Sequence, residues 1–244
     1  MDAYRRFLRE RPGRLQAAMP APAPAAPPVP RPGRAAVAPE VVDPATRRAV
    51  ARSAAVAWAA AVAEDPRAVY VDTETTGCGA GDEVIELAVV GNDGTVLFET
   101  LLRPRRPIPA AVVAVHGITD ADVAGAPTLP EVRPALLAAL AGRLVVVYNA
   151  PFDRRLIEQT CRLYGGEPPA AAYDCAMRRY ADFAGVAHPS GRGGYRWHKL
   201  ERAVLAFGAA PGGHRATADA LACRAVVHGM AGHWLGPDHP AGGR

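Results

Sequence analysis

Residues 69–77, Val-Tyr-Val-Asp-Thr-Glu-Thr-Thr-Gly, constrain the fold more than any other part of the chain. The stretch begins as a run of β-branched and aromatic residues and breaks into polar, turn-forming ones. That is the pattern of a buried strand delivering its end to a site. Asp72 and Glu74 stand two residues apart within it. On a pleated strand, residues i and i+2 point to the same side, so the two carboxylates converge. Like charges held together repel, and burying them is costly unless a cation lies between them. Clustered hard oxygen ligands are best neutralised by Mg²⁺ or Mn²⁺. An Asp-x-Glu pair alone also fits a solvated strand end, so the reading depends on partners elsewhere in the chain.

The surrounding sequence alternates strands and helices. Residues 83–91 and 95–102 read as strands joined by Asn92-Asp93-Gly94, which makes them an antiparallel hairpin beside the first strand. A Pro/Arg connection covers 103–109, and Thr119 is placed to cap a short helix. Residues 129–140 form a helix, and 144–148 form a continuous apolar strand suited to burial. Pro151 follows at the first helical position, which puts Asp153 in the first turn, where the helix dipole favours a carboxylate. That helix runs to about residue 164. A strand at 171–175 leads into a helix ending near 184, and residues 185–195 read as a mobile loop. Helices at 197–207 and 217–230 complete the chain, with His214 behind a Pro-Gly-Gly loop. Strands alternating with helices after a hairpin give an α/β sheet with one antiparallel member.

The 244 residues hold one sizeable domain with room for a tail. Residues 1–18 are a basic segment with Tyr4, Phe7 and Leu8 on one side, a candidate docking peptide for a protein partner or a disordered tail. Residues 19–45 are an Ala/Pro-rich linker that cannot bury enough surface to fold. Residues 46–66 form an Ala-rich helix packed on the domain, residues 67–235 the domain itself, and 236–244 a flexible tail. The first 46 residues hold seven arginines against four acidic residues, so they carry +3 of the net charge of +4. A body that is nearly neutral suits a carboxylate site in which metal ions supply the positive charge. No apolar run approaches the ~20 residues of a membrane span. Arginines interrupt the N-terminus where a secretion signal needs an apolar core. Cys78, Cys161, Cys175 and Cys223 show no paired spacing, which fits reduced thiols in the cytoplasm.

Three acidic clusters fall at strand ends or helix starts: Asp72 with Glu74, then Asp153, then Asp219 preceded by His214. Asp-Thr-Glu-Thr-Thr-Gly, Asn-Ala-x-Phe-Asp and His-Arg-Ala-x-x-Asp-Ala, in this order, resemble the three motifs of the DEDD exonuclease superfamily. The five-residue offset from His214 to Asp219 resembles its histidine-bearing branch, which includes the proofreading exonuclease subunits of bacterial DNA polymerases. His116-Gly-Ile-Thr is similar to a stretch common among those members. The resemblance spans residues 68–230.

The resemblance implies an RNase H-like α/β fold with a mixed five-stranded sheet flanked by helices. It further implies metal-dependent 3′→5′ hydrolysis of DNA, single-stranded or frayed, to nucleoside 5′-monophosphates. The family's chemistry uses two divalent ions about 3.5–4 Å apart. On this sequence Asp72 would bridge both, Glu74 and Asp219 would complete the shell of one, and Asp153 would hold the other. His214 would accept the proton of the attacking water, a role that suits a base with a reference pKa near 6.5. Thr75, Thr76 and the amides near Gly77 would line the terminal nucleoside pocket, with Asn149 and Phe152 contacting the strand. Tyr148 stands where many relatives carry a histidine, and Cys78 where an apolar residue is usual. The alternatives are an RNA-trimming exoribonuclease and a catalytically silent binding module on the same fold. Retention of all five site residues argues against the silent module. His116 reads as a structural turn residue. Cys223, His228, His233 and His239 match no common zinc spacing. The pairs Arg178/Arg179 and Arg192/Arg196 read as solvated charges with a lesser claim to phosphate.

Overall fold

The computed structural model describes residues 43–190 and 193–233. The basic segment at 1–18, nearly all of the 19–45 linker and the tail from 236 lie outside the described residues, as does Arg192.

Asp43 opens the described chain as a helix cap. Its carboxylate accepts the N–H groups of Ala45 (2.9 Å) and Thr46 (3.1 Å), and Pro44 takes the first turn, where no N–H is needed. Helix α1 therefore spans Pro44–Glu64 and begins two residues before the expected start. Its small residues Ala55 and Ala59 are buried in the main core, which lets the helix axis come close to its neighbours.

Strand β1 (Ala68–Thr75) is central in a five-stranded sheet. On one side it pairs antiparallel with β2 (Val84–Gly91), which pairs antiparallel with β3 (Val96–Leu101). On the other it pairs parallel with β4 (Leu144–Val147), and β4 with β5 (Ala172–Cys175). Strand β2 is thus the one member antiparallel to the rest, as the hairpin signal predicts. The period of two sorts β1 between two cores. Tyr70 joins Val90 and Val146 against α1 and the C-terminal helix, while Val69 and Val71 join Leu87, Val89, Val145 and Val147 on the opposite face.

The helices of that opposite face are α4 (Leu129–Leu140) and α5 (Ala150–Leu163), which contribute Leu136, Leu140, Leu156 and Ile157. The first face carries α6 (Ala176–Ala184), α7 (Leu200–Leu205) and α8 (Ala216–Ala231), where Val226, Val227 and Met230 are buried. Before α4 come two short helices, α2 (Ala110–His116) and α3 (Asp120–Val123), the latter opened by a capping box between Thr119 and Asp122. The capped helix was expected; α2 was not. Its sequence, Ala-Ala-Val-Val-Ala-Val-His, holds no polar residue before its last position to reveal a period.

Asn92, read as a turn former, does more. Its Nδ2 donates to the carbonyls of Val62, Ala63 and Asp65 at 2.9–3.0 Å, where α1 ends, and its Oδ1 accepts Tyr70 Oη at 3.1 Å. The β2–β3 turn is thereby tied to the helix before β1. Helix α7 is shorter than the expected 197–207. Residues 197–199 stay outside the helix, where Arg196 N–H donates to the Val186 carbonyl (2.8 Å) and Tyr148 Oη donates to the His198 carbonyl (2.9 Å). The loop at 185–195 is pinned near its ends by a bridge between Ala187 and Tyr195. All four cysteines are free thiols, and no described helix is long and apolar enough to cross a membrane.

Candidate active site

The alternation that puts Tyr70 on the α8 face of β1 also puts Asp72 and Glu74 there, at the strand's C-terminal end. Thr73 faces the other way, toward α5, and meets Asp153. Its N–H (3.1 Å) and its hydroxyl (2.8 Å) both donate to Asp153 Oδ1. Asp153 sits in the first turn of α5, as its sequence position requires, and is buried. Asp219 sits in the first turn of α8 and closes the cluster from above the sheet. All four acidic residues and His214 border one cavity of about 470 Å³.

Electrostatics in this cavity are adverse for carboxylates. Burial first, then the charges of Asp153, Asp219, Glu74 and Glu86, push Asp72 well above the usual carboxylate range. Glu74 is pushed up to about 8 by burial and by the charges of Asp219, Glu86 and Asp153. Asp153 rises to about 7, chiefly through burial, although its bonds from Thr73 pull it back. Asp219 is raised by burial and drawn back by His214. One ligating atom from each of Glu74, His214 and Asp219 lies within 4.8 Å of the others. Hard oxygen donors that repel one another this strongly fit a divalent cation.

His214 is held differently. It adopts a left-handed backbone (φ 59°), rare for a residue with a side chain, and its ring is half exposed, with Nε2 3.5 Å from Glu201 Oε1. Gly212, in the Pro-Gly-Gly loop before it, is explained by close contact. A Cβ on Gly212 would come within 2.2 Å of Asp219 Oδ1 and 2.5 Å of the α8 backbone. Arg215, the next residue, forks onto Glu86 with Nε 3.1 Å from both carboxylate oxygens and a terminal nitrogen at 2.6 Å. Glu86 Oε2 also accepts the Ala216 N–H (2.9 Å) at the start of α8. Glu86 lies opposite Glu74 in the β1–β2 register and is buried. Sequence reasoning missed it, although a lone charge inside Val-Ile-Glu-Leu-Ala-Val-Val was a signal.

Of the expected strand contacts, Asn149 and Phe152 line the cavity. Asn149 occupies the α5 cap position with no side-chain capping bond, and Phe152 packs partly on the core beneath. Thr75, Thr76 and Gly77 are not on the cavity wall. Thr75 donates to the Gly77 carbonyl (2.9 Å) and Thr76 to Asp82 Oδ1 (3.0 Å). Gly77 leaves room for Asp82, whose Oδ2 would lie 2.6 Å from an added Cβ. These residues build the turn after β1. The cavity gains Tyr148, Trp197, His198, Lys199 and Glu201, which no local pattern announced. Tyr148, where a histidine is usual, tethers that segment through its bond to the His198 carbonyl. His116 is buried, with Nδ1 accepting the Ile118 N–H (3.0 Å), as a turn residue should. Cys223 is buried, His228 bonds to Asn92 (3.0 Å) and His233 packs on Phe183, so these three do not converge. Arg179 pairs with Asp174 (3.5 Å) and covers the Trp58 ring.

Comparison with known proteins agrees with this geometry. The Exonuclease (RNase_T) family model matches residues 69–227. The uncharacterized exonuclease CP81 of Escherichia phage 186 is 39% identical over 176 residues, covering 69% of this chain and 89% of that protein. The DNA polymerase III subunit epsilon of Treponema pallidum is 32% identical over 182 residues, covering 72% and 81%. Exonuclease X in complex with 5′ overhanging duplex DNA superposes with a TM-score of 0.50 at 26% identity, over 68% of this chain and 92% of that one. The nuclease domain of 3′hExo, a DEDDh family member bound to rAMP, shares the fold with a TM-score of 0.54 at 19% identity, over 66% and 90%. Helix α1 lies outside the matched residues although it is part of the core. The chain belongs to the Exonuclease (RNase_T) family and is an exonuclease.

Proposed function

We propose that the substrate is the 3′ end of DNA, single-stranded or frayed, and that each turnover releases a nucleoside 5′-monophosphate. The observation that carries this reading is the convergence of Asp72, Glu74, Asp153, Asp219 and His214 on one cavity. Asp72, Glu74, Asp153 and Asp219 would hold two divalent cations, Mg²⁺ or Mn²⁺. Such ions, when bound, supply charge relief at the phosphoryl oxygens and a nucleophile at neutral pH. Thr73 engages one Asp153 oxygen, which leaves the other for a cation. His214, a half-exposed ring on the loop beside Asp219, accepts the proton of the attacking water. Asn149, free of capping duty, and Phe152 hold the terminal nucleotide against the first turn of α5. The DNA preference is supported by similarity to polymerase epsilon subunits and to exodeoxyribonuclease 10, the latter 37% identical over 92 residues. The free thiols suit a reducing compartment such as the cytoplasm.

The test is hydrolysis of 5′-labelled and 3′-labelled DNA and RNA oligonucleotides with Mg²⁺, Mn²⁺ or EDTA. A ladder shortening from the 3′ end of DNA, faster than on RNA and abolished by EDTA, is expected. Faster trimming of RNA would transfer the reading to an exoribonuclease, and binding without hydrolysis to a silent module.

A further inference from the structure

Trp197 is 60% exposed, yet the backbone around it is held on both sides. Arg196 N–H donates to the Val186 carbonyl (2.8 Å), and the His198 carbonyl accepts Tyr148 Oη (2.9 Å). His198 is buried and meets the Tyr180 ring edge-on at 5.5 Å. The indole is therefore presented to solvent from a backbone that is held before anything binds, which leaves only the side chain to be ordered. A lone exposed aromatic carries no meaning by itself. Trp197, however, borders two cavities at once. One is the carboxylate cavity; the other, of about 410 Å³, is bordered by Arg178, Asp182, His188 and Tyr195. Arg178 is exposed and makes no hydrogen bond or ion pair among the described residues, unlike Arg179 beside it. Asp182 makes the second cavity unsuited to an anion as a whole, so the attraction falls to the exposed guanidinium.

A strand whose 3′ end lies among the carboxylates must leave the cavity over one of its walls. Base stacking on an aromatic face is tolerant of sequence because every base offers a π-face, and a free arginine beyond it attracts the backbone. We propose that Trp197 is a stacking platform for an unpaired base 5′ of the nucleotide being removed, with Arg178 contacting the phosphate beyond it. The inference rests on the exonuclease reading and deepens it: the enzyme selects 3′ ends with several unpaired nucleotides.

The experiment compares the p-nitrophenyl ester of thymidine 5′-monophosphate, which ends at the terminal nucleotide, with a twelve-residue oligothymidylate, both in Mn²⁺. For Trp197→Ala, the ratio of kcat/KM on the oligonucleotide to kcat/KM on the ester should fall about tenfold, the worth of one stacked base, through KM. Trp197→Phe should restore most of the ratio. Arg178→Ala should lower the slope of log affinity against log salt by about one. Oligothymidylate should also quench tryptophan fluorescence more in Asp72→Asn than in Asp72→Asn/Trp197→Phe. Equal losses on both substrates, or an unchanged ratio, would overturn the platform while leaving the exonuclease standing. Failure of the parent protein to hydrolyse either substrate would instead remove the exonuclease reading beneath it.

Discussion

The two sides of the cavity are built on different terms. On the sheet side, Asp72, Glu74 and Asp153 come from the end of a central strand and the first turn of the helix after its parallel neighbour. Their positions follow from strand pleat and helix start, and the surrounding core fixes them. On the loop side, His214 rides on a left-handed backbone and is held by contacts distant in sequence. Arg215 reaches Glu86 across 129 residues, and the neighbouring wall hangs on Tyr148 across 50. The charges sit where the scaffold is stiff, and the proton acceptor sits where a few polar contacts hold it. A cation cluster tolerates little displacement, whereas a base must approach and withdraw from the reacting atoms.

Removing a carboxylate should break the sheet side most severely. Asp72→Asn is expected to reduce hydrolysis to background, while its metal-free melting temperature stays level or rises, because an amide never takes on the charge that burial and the neighbouring carboxylates oppose. Near-normal turnover of this variant in Mg²⁺ would refute the assignment. Loss of the base comes next. His214→Ala should lower kcat by roughly 10²–10⁴, with metal affinity and KM preserved. If metal binding weakens together with kcat, His214 is a ligand or a structural residue.

Arg215→Ala tests the attachment of the loop. It strands the buried Glu86 carboxylate, so stability should drop by roughly 3 kcal/mol and kcat by about tenfold. Arg215→Lys should recover little, since one ammonium cannot reproduce the fork. A full kcat with lowered stability would show that the clamp serves folding alone. A further effect distinguishes the sides by pH. Glu74 and Asp153 titrate near 8 and 7 in the folded protein, against about 4 in the unfolded chain. The folded state therefore holds more protons across that interval, and stability in EDTA should decline as pH rises from about 4.5 to 8. Mn²⁺ should flatten the decline by binding the folded state alone. Melting curves that superimpose with and without Mn²⁺ would argue against a metal site.

The sequence by itself determined the strand that organises the fold, the hairpin beside it, the helix carrying Asp153, and the three acidic motifs with His214. These depend on spacings of two to five residues, which backbone geometry converts into a shared face or a first helical turn. It also placed the lone antiparallel strand, because Asn92-Asp93-Gly94 leaves too short a link for a parallel return. The tertiary structure alone decided the rest. It kept Trp197–Lys199 out of the expected helix, committed the Thr75 and Thr76 hydroxyls to a turn, and made Gly212 a contact point for Asp219. It also recruited Glu86 to hold the histidine loop and set Trp197 at the mouth of the cavity. Each of these is settled by partners far apart in the chain, and a residue's local pattern carries no information about which distant group will satisfy its hydrogen bonds or fill the space beside it.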